Sequence, residues 1–279
     1  MTAIDHDNAL KAIASRAFDR LSVKRLNVHV DESSKTLFLP IPKNANSFLK
    51  SIFLHNAPNL SFDYQKQTPL QFSKQNHGYY PVVCDSRILS NPTYKKILVL
   101  RQPERRLLSC YLDKVVKKLP GQHGKINKFL RKKSQDITFF DFAYYVSQIP
   151  DFKRDRHYRS QSLFTAIRVI HFDFVGCVEN LDDTLNYLAN ERGMDVFRSE
   201  NPGVTKKTKF QEASQISGHT HFANVPASQL LELGSFPHPS CFFDQDTAQL
   251  IRKTYEKDFD LYRYYFPEVE NSTNQATTP

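Results

Sequence analysis

Lys95-Lys-Ile-Leu-Val-Leu-Arg101 packs four apolar residues into one short run. It leads through Gln102-Pro103 into a stretch where Leu107, Leu108, Tyr111, Leu112 and Val115 recur at helical spacing. The run reads as a buried strand, and the spacing behind it reads as a helix with one apolar side. The arrangement also occurs earlier in the chain. Thr36-Leu-Phe-Leu-Pro-Ile-Pro42 is a second strand candidate with an irregular end at Pro40. Asn46 to His55 predicts a helix with Phe48, Leu49, Ile52 and Phe53 on one side. Strands alternating with helices predict an α/β fold with a central, largely parallel sheet.

The rest of the chain is read in the same way. Ala9, Leu10, Ile13, Ala14 and Ala17 predict a short helix within residues 1–20, and residues 56–80 read as loop. Helices are expected near Phe139–Gln148 and through Leu181, Leu185, Tyr187 and Leu188, with Asn180 or Asp182 as cap. A final helix is expected over Phe243–Tyr265. Residues 166–172 form a third strand candidate, with Phe174-Val175-Gly176 in the turn after it. Residues 194–240 hold too many polar and turn residues to assign. The expectation is one domain over residues 1–266 and a disordered tail over 267–279.

Of the 279 residues, 40% are hydrophobic and 24% charged, which excludes a wholly disordered chain, a collagen or a disulfide-dense mini-protein. With 38 Lys+Arg against 29 Asp+Glu, the net charge of +9 calls for an anionic partner. Nucleic acid, acidic glycan, membrane surface and phosphorylated cofactor all satisfy that demand. Cys84, Cys110, Cys177 and Cys241 lie far apart with no C-x-x-C pair. Buried thiols in a reducing compartment are therefore expected, rather than structural zinc or a redox motif. Residues 1–30 hold no apolar run long enough for a signal peptide or a membrane span, so a cytoplasmic location is expected.

Ligands of open α/β sheets bind beyond the carboxyl ends of the strands, which directs attention to two turns. In the first, Pro42-Lys43-Asn44-Ala45-Asn46-Ser47, a strand enters and a helix leaves. The positive end of that helix, the Lys43 cation, the Ser47 hydroxyl and the small Ala45 suit a phosphate. The plain alternative is an N-cap formed by Asn46 or Asn44, with Lys43 solvated. In the second, Arg101 stands at the end of the strand, where its guanidinium can grip a phosphate by two hydrogen bonds, and Ser109 follows in the helix. The plain alternative there is a charged helix face with Arg105 and Arg106 in water.

Taken together, the two turns resemble the carbohydrate sulfotransferases that use 3′-phosphoadenosine 5′-phosphosulfate (PAPS). Pro42-Lys43-Asn-Ala-Asn-Ser47, continued by Phe48, is similar to that family's 5′-phosphosulfate loop, P-K-x-x-x-S/T. Leu100 to Tyr111 is similar to its 3′-phosphate segment, R-x-P-x-x-R-L-x-S-x-Y. Phe172 to Leu181 and Tyr255 to Tyr264 are similar to segments of the Golgi-type branch, although Cys177 stands where Lys is usual and Ser47 where Thr is common. The resemblance covers roughly residues 36–265 in scattered blocks. It implies a three-layer, P-loop-NTPase-like fold and a soluble, bacterial-type member without the Golgi anchor.

The resemblance also implies roles. Lys43 would neutralise the leaving phosphate, and Lys43, Asn44, Ala45, Asn46, Ser47 and Phe48 would form the 5′-phosphate loop. Arg101 and Ser109 would hold the 3′-phosphate, and PAP would leave as product with no metal required. His77 resembles one half of the catalytic His-x-His region of the uronic-acid 2-O-sulfotransferases, and an imidazole suits proton abstraction at neutral pH. The plain alternative is a loop histidine with no role. His55 and His157 are rival bases, and His157-Tyr-Arg-Ser-Gln161 resembles a family stretch that shapes the acceptor site. The acceptor would be a carbohydrate or another hydroxyl compound. The acid-free run from Lys114 to Lys133, with Lys117 and Lys118, would suit an acidic glycan, and a second cluster stands at Lys206, Lys207 and Lys209. A rival reading is a phosphate- or nucleic-acid-binding module without chemistry, or another P-loop-like transferase. No helix-turn-helix, RRM, KH, zinc-finger or Walker A pattern supports it. The sequence sets no oligomeric state.

Overall fold

The computed structural model describes residues 28–58, 60–75, 82–83, 88, 91–118, 124–164, 170–197, 210–211 and 221–268. The first half holds β1 (Val28–Asp31), β2 (Thr36–Leu39), α1 (Asn46–Asn56), α2 (Pro69–Gln75), β3 (Val82–Val83) and β4 (Lys95–Leu100). Next come α3 (Pro103–Lys114), α4 (Gly124–Leu130), α5 (Phe139–Ser147), α6 (Gln161–Phe164), β5 (Phe174–Cys177) and α7 (Leu181–Asn186). Then follow β6 (Phe210–Gln211), α8 (Ala227–Glu232), β7 (Phe236–Pro237), α9 (Gln245–Thr254) and α10 (Glu256–Tyr265). The helix expected within residues 1–20 and the tail from residue 269 lie outside the described residues, as do Cys84 and the 206–209 lysines. The chain divides into two compact units, residues 1–100 with 164–206 and residues 101–163 with 207–279.

The first unit is built on a five-stranded sheet of order β3-β1-β2-β4-β5. β2, β4 and β5 are parallel, while β1 is antiparallel to both β2 and β3, so β1 alone runs against the rest. Phe38, Ile97 and Val99 on one face join Phe48, Leu49, Ile52 and Phe53 of α1 and Leu185 of α7 in a single core. Leu37, Leu39, Leu98 and Leu100 alternate with them and are buried too. Burial on both faces explains why these strands read as continuous apolar runs rather than alternating ones.

Two expectations change here. The third strand is Phe174–Cys177, not the expected turn, and its Leu100↔Cys177 pairing sets the register. Asp173 fixes where it begins, because its carboxylate accepts from the Lys96 N–H at 2.9 Å and from Lys95 Nζ at 2.8 Å. Gly176 is required by close approach, since a Cβ there would lie 2.1 Å from Thr184 Oγ1 on α7. Within the expected loop 56–80, α2 forms because Thr68 and Gln71 make a capping box around Pro69 at the first helical position. Its Phe72 packs edge-on against Phe62 at 5.3 Å.

The second unit is mainly helical. Leu107, Leu108, Tyr111 and Leu112 of α3 pack with Phe139, Phe142 and Val146 of α5, and with Leu230, Phe242 and Ile251. Thr138 and Asp141 cap α5 reciprocally. The single final helix expected over Phe243–Tyr265 is two helices, broken at Tyr255. Tyr255 is buried, and its hydroxyl donates to the Tyr158 carbonyl.

Candidate functional site

The first turn lies in the sheet unit. Lys43 (φ 73°) and Ala45 (φ 50°) both adopt the left-handed region, which L-residues occupy at a cost of about 1–3 kcal/mol each and which recurs at ligand clamps. Asn44 between them is fully buried and donates from Nδ2 to the Val99 carbonyl of β4 at 2.8 Å. Its N–H donates to Ile41 O at 3.2 Å. Asn44 thus anchors the loop to the sheet from beneath.

Helix α1 starts without a side-chain cap. Its N-cap is Ala45, so the alternative in which Asn44 or Asn46 caps the helix does not hold. The first turn carries no acidic residue. The first intrahelical bond is donated by the Leu49 N–H to Ala45 O at 3.0 Å. The N–H groups of Asn46, Ser47 and Phe48 come before it and have no acceptor within the helix. Ser47 is exposed, and Lys43 is partly so. The Phe48 side chain packs edge-on against Phe197 at 5.8 Å in the core, which leaves only its backbone N–H for a ligand. Three N–H groups at a positive helix end, a lysine and a hydroxyl are a donor set with no acid in it, and that composition suits a phosphate.

The second turn leaves β4, the parallel neighbour of β2, and its residues belong to the helical unit. Gln161 holds the Arg101 backbone at two points. The Arg101 N–H donates to Gln161 Oε1 at 3.0 Å, and Gln161 Nε2 donates to Arg101 O at 2.8 Å. The carboxylate of Asp258 in turn accepts from the Gln161 N–H at 2.7 Å and the Ser162 N–H at 2.9 Å. Burial pushes the Asp258 carboxyl up, against the opposing pull of those N–H groups and of Arg106. Arg106 is not in water as the alternative reading supposed. It is buried and donates to the carbonyls of Arg159 at 2.7 Å and Arg156 at 3.4 Å. Ser109 lies on α3, half-buried. No local pattern announces the bond between Gln161 and Asp258, because 97 positions separate the two residues; the two motifs that contain them are the available signal.

The histidines fall in different places. His77 lies outside the described residues. His55 accompanies Asp195, with Nε2 to Oδ2 at 3.0 Å, and meets Tyr64 and Phe197 edge-on. His157 stands on the loop between Arg106's two carbonyl acceptors, with Nδ1 2.6 Å from Asp155 Oδ1. Lys118 is exposed in the turn after α3, and exposed Lys117 reaches over the Phe236 ring at 5.8 Å. Cys110, Cys177 and Cys241 are buried free thiols. No helix among the described residues is long and apolar enough to cross a membrane.

A largely parallel sheet whose β2 leads into an uncapped, acid-free helix end defines an α/β protein. The family follows from comparison: the Sulfotransferase family profile matches residues 26–265, and the chain belongs to that family. It is 26% identical to mouse carbohydrate sulfotransferase 14 over 188 residues, covering 63% of this chain and 44% of the relative. It is 23% identical to human carbohydrate sulfotransferase 9 over 263 residues, covering 86% of this chain and 53% of the relative. The chain therefore spans about half the length of these relatives. No solved structure matches it significantly.

Proposed function

We propose that the chain transfers a sulfuryl group from PAPS to a hydroxyl of a carbohydrate. Family membership supports the reaction class, and the names of the two relatives support the acceptor class. The observation that carries the reading is the Lys43–Ser47 loop, in which two left-handed residues lead into an uncapped helix end. There the N–H groups of Asn46, Ser47 and Phe48 and the Ser47 hydroxyl would hold the 5′-phosphate. Lys43 would stabilise the charge that grows on it as sulfur departs. Arg101 and Ser109 would hold the 3′-phosphate. The donor supplies the activated sulfuryl group; the protein supplies position, charge and a base. Lys117, Lys118 and the exposed lysines of α4 would meet an acidic acceptor.

The test is thermal unfolding with PAP. At about 100 times its Kd, PAP should stabilise the wild type by about 2.7 kcal/mol, and Arg101→Ala should lose most of that gain at the same concentration. Absence of stabilisation in the wild type would refute the reading.

A further inference from the structure

We infer that Asp258 is a positioning residue for the phosphate grip of Arg101: it fixes Gln161, and Gln161 fixes the Arg101 backbone. This rests on the proposed role of Arg101 at the 3′-phosphate, and all three residues lie in the helical unit. Asp258, on α10, is 1% exposed. One of its carboxylate oxygens accepts from the Gln161 N–H at 2.7 Å and the other from the Ser162 N–H at 2.9 Å. A carboxylate offers an acceptor to each N–H, whereas an amide in its place would offer one acceptor and one donor. Gln161 turns its own side chain to Arg101, accepting from the N–H and donating to the carbonyl. An unbroken series of hydrogen bonds thus leads from α10 to the residue that closes β4.

The segment that carries Gln161 is held by side chains along its length. Residues 155–160 form no helix or strand. Arg106 donates to the Arg156 and Arg159 carbonyls, the Tyr255 hydroxyl donates to the Tyr158 carbonyl, and Asp151 Oδ1 accepts from the Ser160 N–H at 3.0 Å. Arg106 and Tyr255 are buried, as Asp258 is. A buried cation and a buried anion add little to stability over a well-packed apolar pair, because both must be stripped of water. Here both are aimed at the peptide groups of one irregular segment, which they order. Gln161 passes that order to Arg101, and a guanidinium binds a phosphate by two bonds only from a fixed backbone. The consequence is selective: a nucleotide with a 3′-phosphate meets Arg101, and one without it does not. Asp258 therefore sets the discrimination between the two rather than nucleotide affinity in general.

Calorimetric titration with PAP and with 5′-AMP, which lacks the 3′-phosphate, tests this. The wild type should bind PAP about 100-fold more tightly than 5′-AMP. Asp258→Asn keeps one acceptor of the two; it should lower that ratio about tenfold and leave 5′-AMP affinity within about twofold. Arg101→Ala should lower the ratio as well, and adding Asp258→Asn to it should lower the ratio no further, because Asp258 acts through Arg101. Should Asp258→Asn fail to fold, Gln161→Met takes its place with the same expectations, since it keeps the backbone bond to Asp258 and loses the two to Arg101. An unchanged ratio in the folded variant, equal weakening of both nucleotides, or full additivity with Arg101→Ala would overturn the positioning role and leave the Arg101 reading intact. Equal affinity of the wild type for the two nucleotides, or an unchanged ratio in Arg101→Ala, would overturn both.

Discussion

The side-chain amide of Gln161 closes a ring of two hydrogen bonds on the backbone of Arg101, at 3.0 and 2.8 Å. Gln161 is itself 1% exposed and fixed through its N–H by Asp258. The arginine proposed to grip the 3′-phosphate thus stands on a backbone that is hydrogen-bonded on both sides. Gln161→Ala leaves the part-buried N–H and carbonyl of Arg101 without this partner, at up to about 1–3 kcal/mol each. The expected result is a lower unfolding midpoint and PAP affinity reduced about tenfold, read by calorimetry. Unchanged affinity in a folded variant would show that Gln161 serves stability alone.

Gly176 is tested by its own contact. A methyl at this position meets Thr184 Oγ1 at 2.1 Å and Phe174 Cε1 at 3.0 Å. Gly176→Ala should destabilise the protein by about 1–3 kcal/mol. Because the closest clash is with one hydroxyl, Gly176→Ala combined with Thr184→Ala should recover part of the loss, and denaturant unfolding of the double-mutant cycle would measure the coupling.

Ala45 makes the opposite case. Its left-handed backbone favours glycine, so Ala45→Gly should retain PAP binding and cost no stability. Ala45→Val places a branched residue at φ 50° and should unfold more easily and bind PAP at least tenfold more weakly. Equal binding by the two variants would remove the loop conformation from the account.

His29 gives the fold an acid limit. It is buried in β1 with the rings of Phe38 and Phe53 at 6.3 and 6.5 Å. Burial, helped by the Lys50 charge, brings its pKa down to about 3. Between that value and 6.5 the unfolded chain binds the proton and the folded one does not. Stability therefore rises with pH across this window and is lost on acidification, by about 1.4 kcal/mol per unit from this group. His29→Phe should flatten the acid limb of a stability-versus-pH curve. An unchanged slope would assign that limb to other groups.

What was legible in the sequence follows from how each element is buried. β2 and β4 were plain because burial on both faces writes a continuous apolar run. β1 was not, because His29 and Asp31 are buried polar residues that break the pattern. In the turn after it, Asp31-Glu-Ser-Ser-Lys35, Asp31 Oδ2 accepts from the Ser34 N–H at 2.7 Å. The break at Tyr255 was hidden because Ile251, Tyr255, Asp258 and Tyr262 are buried at helical spacing straight across it. The turn at Lys43–Ser47, between a strand and a helix, was legible from residue order. The Arg101–Gln161 bond spans 60 positions, and no local pattern encodes it.

The central claim is sulfuryl transfer from PAPS by the Lys43 loop. The direct test is transfer of labelled sulfate from PAPS to hyaluronan, maltohexaose and a small alcohol, by the wild type and by Lys43→Ala. The expected result is labelled product on at least one acceptor, with kcat reduced about 100-fold or more in Lys43→Ala. No product with any acceptor from a wild type that binds PAP, or equal turnover by the two proteins, would contradict it.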